Sequence, residues 1–321
     1  MGRAPELICG YDVDDAGRAQ ATAVDAPRPG AGNAYRWLHF DAGAEGLEPW
    51  LRAHLPLPAV DALLQAETRP RCANLADGAM INLRGVNLNP GANPEDMVSL
   101  RIWATAELVV TVRLRKVWAV DALRQKAEDG RAPGSAAGLV AAMAEGLTRR
   151  IEEVALELED RTDALEEQVL GGEAVPLALL AETRHTVIKL RRFVNPQREA
   201  LDALAAGAAE GVTAPDALLS LRETANRSAR NVEALDALRE RLMAMQDHLE
   251  AQRAQTMGTN AYLLSVVAAI FLPLGFLTGL FGVNVGGMPG VESDVAFWVL
   301  SAVSAGLGVV LYVVFKLSKW L

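Results

Sequence analysis

Residues 261–281 read AYLLSVVAAIFLPLGFLTGLF, and residues 295–315 read VAFWVLSAVSAGLGVVLYVVF. Neither stretch contains Asp, Glu, Lys or Arg, and each has the length of about 20 residues that an α-helix needs to cross a bilayer. A charge in the middle of such a helix costs about 3 kcal/mol, so uncharged runs of this length are typical of membrane spans. Two of them in succession are rare in soluble domains. The sequence therefore predicts two transmembrane helices.

The charges that flank the two spans predict their orientation. Arg253 precedes the first span, and Lys316 and Lys319 follow the second. The connection at residues 282–294 contains no Lys or Arg. Because positively charged flanks stay in the cytoplasm, we expect both chain ends to be cytoplasmic and the short loop to be outside.

The remaining composition excludes several classes of function. The 321-residue chain carries a net charge of −9, and nearly all its charged residues precede the first span. No basic run suggests nucleic-acid binding. The two cysteines, Cys9 and Cys72, have no metal-site or disulfide spacing. The four histidines are scattered and form no catalytic motif, so we expect neither an enzyme nor a bound cofactor.

The region before the spans divides into two parts. Up to about residue 135 the sequence predicts an α/β domain, with one short helix at residues 56–67 (PLPAVDALLQAE). Apolar, partly alternating runs predict its strands at residues 6–11, 35–40, 80–88, 97–103 and 108–114. The Gly- and Pro-containing stretch DGRAPGSAAG at residues 129–138 then marks a boundary.

Long helices are predicted after this boundary. A first helix carries an apolar stripe, formed by Leu147, Ile151, Val154, Leu158, Leu165 and Val169. A second runs from Pro176 to about Ala209 with a bend at Pro196, and a third runs from Asp216 into the first span. The predicted organisation is therefore an α+β cytoplasmic domain (1–135), a long-helix stalk (136–257), a first span (258–281), a periplasmic loop (282–294), a second span (295–315) and a cytoplasmic tail (316–321).

Two spans cannot enclose a pore alone, so a pore would require several copies of the chain. One face of the first span suits such a role, because four of its five residues are small and follow three- and four-residue steps. These residues are Ser265, Ala268, Leu272, Gly275 and Gly279. Small residues also serve close helix packing in membranes. The spacing alone leaves pore lining and helix packing as alternatives.

The tripeptide Gly-Val-Asn directly follows the first span, at Gly282, Val283 and Asn284. It belongs to the longer stretch IFLPLGFLTGLFGVNVGGMPG at residues 270–290, and the upstream stretch RGVNLNPGANPEDMVSLRIW at residues 84–103 contains a second copy. Together with the layout of the chain, these stretches resemble the CorA superfamily of divalent-cation transporters. Most members of that superfamily carry Gly-Met-Asn at this place. The valine and the following residues are similar to the bacterial zinc-transport subfamily, ZntB.

This resemblance implies a CorA-like, funnel-shaped homopentamer in the bacterial inner membrane, in contact with lipid and transporting a divalent cation, most of all Zn²⁺. The first spans would line the pore, and Gly282, Val283 and Asn284 would form its outer mouth. Asn284 would contribute one amide oxygen to a ring of five, which suits a hydrated cation. Glu292 and Asp294 either attract cations to the entrance or are ordinary solvated loop acids.

Two other functions fit the same sequence. The chain could be a magnesium or cobalt channel of the same superfamily, gated by metal bound to carboxylates of the stalk; the candidates are Glu152, Glu153, Glu157, Glu159, Asp160, Glu166 and Glu167. A solvated helix face also explains these acids. Alternatively, the chain could be a membrane-anchored scaffold without transport. The upstream Gly-Val-Asn copy, at residues 85–87, is predicted to be a strand end and turn.

Overall fold

The computed structural model describes residues 4–27, 33–75, 78–173, 175–209, 212, 214–282, 290 and 292–317. The chain divides into two compact units, Met1–Gln246 and Asp247–Leu321. We call them the N-terminal unit and the C-terminal unit and describe each by itself.

A seven-stranded mixed sheet forms the centre of the N-terminal unit. Its strands are β1 (Leu7–Asp14), β2 (Ala19–Ala21), β3 (Asn33–Asp41), β4 (Arg71–Leu75), β5 (Gly78–Gly85), β6 (Val98–Ala104) and β7 (Leu108–Arg113). They lie in the order β2-β1-β3-β7-β6-β5-β4. The β3–β7 pair is parallel, and the other neighbours are antiparallel. The strands predicted from the sequence are confirmed to within a few residues, whereas β2 and β4 were missed.

Seven helices are assigned in the described residues. They are α1 (Leu47–His54), α2 (Leu57–Leu64), α3 (Trp118–Glu128), α4 (Ala136–Leu170), α5 (Leu177–Ala205), α6 (Pro215–Gly282) and α7 (Ala296–Leu317). The predicted long helices are confirmed, and both α5 and α6 continue through an internal proline, Pro196 and Pro273 respectively. Helices α1 and α3 were not predicted.

The sheet has an apolar core on each face, because side chains alternate between the faces of a strand. Ile81 and Leu83 belong to one core, together with residues of α3, α4 and α5. Met80 belongs to the other core, together with Trp103 and residues of α1 and α2. Burial of apolar surface on both faces is the main force that stabilises this layered arrangement.

The long helices of the N-terminal unit pack through the stripes that their spacing predicts. All six stripe residues of α4, from Leu147 to Val169, are buried. On α6, Leu235, Leu238, Leu242 and Met245 are buried as well. The hydroxyl of Ser135 accepts a hydrogen bond from the backbone N–H of Gly138 and caps α4 at its start.

Candidate functional site

The two hydrophobic segments predicted to span a membrane are helical and exposed. Both the last part of α6 and the whole of α7 are long and apolar enough to cross a bilayer. Almost none of either segment is buried by the protein itself. A core helix of a soluble protein would be covered by its own chain, whereas these helices present Phe271, Phe276, Trp298 and Val309 outward. Their surface chemistry is that of a protein in contact with lipid.

The membrane part of α6 has two different faces. Val266 is 5% exposed, and Ala269, Ile270, Pro273, Leu274 and Leu277 are partly buried. The five residues predicted to line a pore, from Ser265 to Gly279, are all exposed. At about 100° per residue, the predicted pore-lining residues lie on the side of the helix opposite to the partly buried ones. We call this exposed side the small-residue face.

Hydroxyl groups in this segment are hydrogen-bonded to the helix itself. Ser265 Oγ donates to the carbonyl oxygen of Ala261 at 2.9 Å, and Thr278 Oγ1 donates to that of Leu274 at 3.0 Å. Bonds of this kind satisfy the hydroxyl without a partner from another helix. Of these two hydroxyl groups, that of Ser265 belongs to the small-residue face, which therefore combines an uncharged surface with a polar group that tolerates a dry environment.

The predicted outer mouth falls mostly outside the described residues. Gly282 is the last residue of α6, whereas Val283 and Asn284 are not among the residues described. Glu292 and Asp294 are exposed. They lie in a turn before α7 in which Ser293 N donates to the carbonyl oxygen of Gly290 at 3.1 Å.

The upstream Gly-Val-Asn copy is a strand end and turn, as predicted. Gly85 is the last residue of β5, and Asn87 is only 1% exposed. The backbone N–H of Asn87 donates to the carbonyl oxygen of Pro94 at 3.1 Å. Its side-chain oxygen accepts a bond from Asn89 Nδ2 at 2.7 Å. This asparagine therefore stabilises a loop of the N-terminal unit.

Two of the seven stalk carboxylates that were candidates for metal binding, Glu152 and Glu166, are paired with arginines. Glu152 on α4 forms an ion pair with Arg227 on α6. Glu166 on α4 pairs with Arg241, which also contacts Asp163 at 2.6 Å. The hydrogen bonds that Arg241 donates to the carboxylates of Glu166 and Asp163 raise the pKa of Arg241. Within the described part of the chain, no group of three or more His, Cys, Asp or Glu residues could hold a metal ion. These contacts favour a structural role for the paired acids.

The histidines are separated and have structural contacts. His39 on β3 is 1% exposed, and its Nδ1 lies 2.8 Å from Thr111 Oγ1. Burial lowers the pKa of His39 to about 3, and the nearby positive charge of Arg113 acts in the same direction. His54 Nδ1 lies 2.8 Å from the carbonyl oxygen of Trp50.

One cluster that the sequence analysis missed lies at the β4 edge of the sheet. Arg69, Arg71, Arg84 and Arg192 line a common cavity. They come from a loop, two strands and α5, so no linear motif unites them. The only local signal is the stretch Thr68-Arg69-Pro70-Arg71, which places two arginines two residues apart.

These features define a class of protein: a membrane protein with an α/β domain, long helices and two hydrophobic C-terminal helices. The sequence model of the CorA-like Mg²⁺ transporter protein family matches residues 32–317. The chain therefore belongs to the CorA-like family of metal-ion transporters.

Individual relatives agree with this family. The chain is 39% identical over 290 residues to the divalent cation transporter CmaX of Pseudomonas aeruginosa, covering 89% of this chain and 87% of that protein. It is 32% identical over 318 residues to the zinc transport protein ZntB of Yersinia pseudotuberculosis, covering 98% and 96%. The solved structure of full-length CmaX matches with a TM-score of 0.85 and 35% identity, over 99% of each chain. The fold and the family predicted from the sequence are confirmed, and these relatives are transporters rather than enzymes.

Proposed function

We propose that this protein transports divalent metal cations, principally Zn²⁺, through a homopentameric pore in the bacterial inner membrane. The observation that carries the proposal is the small-residue face of α6, which is uncharged, exposed and opposite to the partly buried side of the same helix. The family and the two named relatives support cation transport as the activity of this membrane unit.

The small-residue face supports an oligomeric pore for a physical reason. A polar path through a bilayer must be enclosed by several helices, and this chain contributes two. Three of the five residues on the face, Ala268, Gly275 and Gly279, have little or no side chain. Five copies of α6 placed around an axis could thus leave room for a cation and its water. The bulkier Leu272 on the same face would form the narrowest apolar ring.

Asn284 is the residue that we propose to meet the cation first. An amide oxygen accepts hydrogen bonds from the water around a cation without the strong attraction of a carboxylate. Release into the pore therefore stays possible. Glu292 and Asp294 are exposed in the same loop, where their charges would raise the local cation concentration. The preference for Zn²⁺ rests on the ZntB relatives and on Val283 in place of the common methionine.

We also propose that the loop at residues 282–294 faces the periplasm and that both chain ends are cytoplasmic. The support is the lack of Lys and Arg in this loop and their presence beyond each span. A protein whose one cysteine is introduced by Ser293→Cys, with Cys9→Ser and Cys72→Ser removing the two native cysteines, should react with a membrane-impermeant maleimide added outside intact cells. Labelling only after the membrane is opened would reverse the proposed orientation.

Ion flux into proteoliposomes tests the main proposal. The full chain is reconstituted, and uptake of Zn²⁺, Mg²⁺ and Co²⁺ is measured separately with an internal fluorescent indicator. We expect Zn²⁺ uptake to be fastest. Equal or faster Mg²⁺ uptake would reject zinc preference and favour the broader activity that the family description and the CmaX name suggest. Absence of flux for all three ions would favour a membrane scaffold.

The site is tested with Asn284→Ala, which should lower Zn²⁺ uptake by about tenfold or more because the ring of amide oxygens is lost. Asn226→Ala is the matched control, since Asn226 is an exposed asparagine on α6 before the hydrophobic segment. It should keep normal uptake. Asn87→Ala is a less suitable control because Asn87 is buried and hydrogen-bonded. Equal uptake by Asn284→Ala and Asn226→Ala would remove Asn284 from the proposed mouth.

A further inference from the structure

The cavity lined by arginines lies at the β4 edge of the sheet in the N-terminal unit. Its volume is about 520 Å³, within the range of small-molecule sites. Arg69 comes from the loop after α2, Arg71 begins β4, Arg84 is on β5 and Arg192 is on α5. Glu67 is the one acidic residue of the lining. Four positive charges and one negative charge give the cavity a net charge of +3, although the whole chain carries −9.

In the residues that the structure describes, these four positive charges are offset by one lining carboxylate, that of Glu67, and not by close ion pairs. Among the described residues, none of Arg69, Arg71, Arg84 and Arg192 has an ion pair within 4.0 Å. Elsewhere in the N-terminal unit, arginines such as Arg36, Arg191 and Arg227 are paired with carboxylates. Clustered, unpaired arginines repel one another, so such a cluster is stabilised when an anion occupies it.

Arg84 is held in place by contacts that leave its charge uncompensated. Its Nε and Nη2 donate to the carbonyl oxygen of Thr68 at 3.2 and 2.7 Å, and its Nη1 donates to that of Met97 at 3.0 Å. Its guanidinium carbon lies 4.0 Å from the centre of the Phe193 ring. Carbonyl and aromatic contacts orient a guanidinium without neutralising it. Burial lowers the pKa of Arg84, and the charge of Arg192 acts in the same direction, whereas Glu67 opposes it.

A further arginine, Arg101, interacts electrostatically with Arg84 of this cavity, because burial lowers the pKa of Arg101 and the positive charge of Arg84 lowers it too. Arg101 on β6 is 1% exposed, and its guanidinium donates to the carbonyl oxygens of Leu63 and Ala66, each at 3.2 Å. Its Nε is buried and has no hydrogen-bond partner in the described part of the chain. In such surroundings its charge is weakly screened and acts over a longer distance than a surface charge.

We propose that this cavity binds a soluble oligophosphate anion, as inorganic triphosphate or as the phosphate chain of a nucleotide. Guanidinium groups match phosphate oxygens through paired hydrogen bonds, which makes arginine the side chain best suited to such ligands. A cavity of about 520 Å³ exceeds what a single phosphate fills and accommodates a chain of them. The charge of +3 favours an anion with several negative charges over a monovalent one.

Isothermal titration of the full chain in detergent with sodium triphosphate tests the proposal. We expect saturable binding that weakens when NaCl is raised from about 50 to 200 mM, because opposite charges are then screened. Inorganic phosphate, with fewer charges, should bind at least about tenfold more weakly. A nucleoside triphosphate is titrated in parallel. Tighter binding of the nucleotide would identify a nucleotide as the ligand, and equal or weaker binding would identify the phosphate chain alone.

The site is identified with the double variant Arg69→Gln/Arg71→Gln, which removes two exposed charges without touching the bonds that hold Arg84. It should weaken triphosphate binding at least about tenfold, and Arg192→Gln should weaken it too. The matched control is Arg149→Gln/Arg222→Gln, which removes two exposed arginines outside the cavity lining. Absence of saturable binding, or equal weakening by both double variants, would overturn the proposal. Because no ion flux is measured, this outcome is independent of the proposed transport activity.

Discussion

The N-terminal and C-terminal units use similar apolar side chains in opposite ways. In the N-terminal unit, residues such as Leu83 and Ile102 are completely buried between sheet and helices. In the C-terminal unit, Val266 is the one described hydrophobic residue that is buried, and most large apolar side chains are exposed. The first unit provides its own apolar environment. The second requires one from outside, such as lipid or, in the proposed pore, further copies of the chain.

The largest expected effect comes from placing a charge on the exposed apolar surface of the C-terminal unit. The same kind of change in the N-terminal unit serves as the comparison. Val309 is 62% exposed on α7, and Leu219 is 72% exposed on α6 in the N-terminal unit. Val309→Asp should cost about 3 kcal/mol of membrane insertion, because the carboxylate would lie near the middle of a span. Leu219→Asp should change stability by no more than about 0.5 kcal/mol, since its position already contacts water.

The fraction of protein that resists alkaline extraction from membranes measures this difference. A marked loss of the extraction-resistant fraction for Val309→Asp, beside a normal fraction for Leu219→Asp, would confirm that exposed apolar side chains contact lipid in the C-terminal unit and water in the N-terminal unit. If both variants stay in the membrane equally well, α7 is not in contact with the hydrocarbon core.

The same contrast explains which parts of the molecule could be predicted from the sequence. The spans were predictable because about 20 uncharged residues are a strong signal. The stripe from Leu147 to Val169 was also predictable, because helical spacing shows which face is buried. Helix α3 carries such a signal as well, with Ala119, Val120, Leu123 and Ala127 buried at helical spacing, but it is short and was overlooked.

Edge elements and the arginine cavity were harder to predict for a different reason. Strand β4 (RCANL) is short and has one exposed edge, so it lacks the apolar run of a central strand. The pairing of Arg71 with Asn82 and the packing of α5 beside β4 and β5 bring the arginines together. Such long-range contacts have no local pattern. For the predicted pore, spacing identified a face of α6, but the arrangement of several copies is not written in the order of residues in one chain.

A second prediction concerns the buried interior of the N-terminal unit. His39 has a pKa of about 3 in the folded protein, well below its ordinary value of 6.5. As the pH falls, His39 therefore takes up a proton in the unfolded chain before it does so in the folded protein. The stability that this difference contributes is present above about pH 6.5 and is lost as the pH falls toward 3. Between pH 6.5 and pH 3, one such group lowers the free energy of unfolding by up to about 1.4 kcal/mol for each unit by which the pH falls.

The slope of the free energy of unfolding against pH is measured for the full chain in detergent. Urea unfolding at pH 7.5, 6.0 and 5.0 is followed by the fluorescence of the buried Trp37 and Trp103. His39→Asn should make the slope shallower, whatever its effect on stability at neutral pH. His185→Asn is the control, because His185 is exposed, and it should keep the slope of the unchanged protein. An unaltered slope in His39→Asn would mean that other groups cause the loss of stability in acid.

The smallest expected effect concerns the ion pairs between α4 and α6. Arg241 contacts both Glu166 and Asp163, but all three side chains are partly exposed, from 32% to 58%. Exposed and half-exposed pairs contribute about 0.2–1 kcal/mol, because solvent and salt screen them. Arg241→Gln should therefore lower the free energy of unfolding within that range, and about 0.5 M NaCl should reduce the difference. Arg230→Gln, which breaks a more exposed pair with Glu223, should have an even smaller effect. A loss of several kcal/mol in Arg241→Gln would show that these pairs rival apolar burial in stabilising the N-terminal unit.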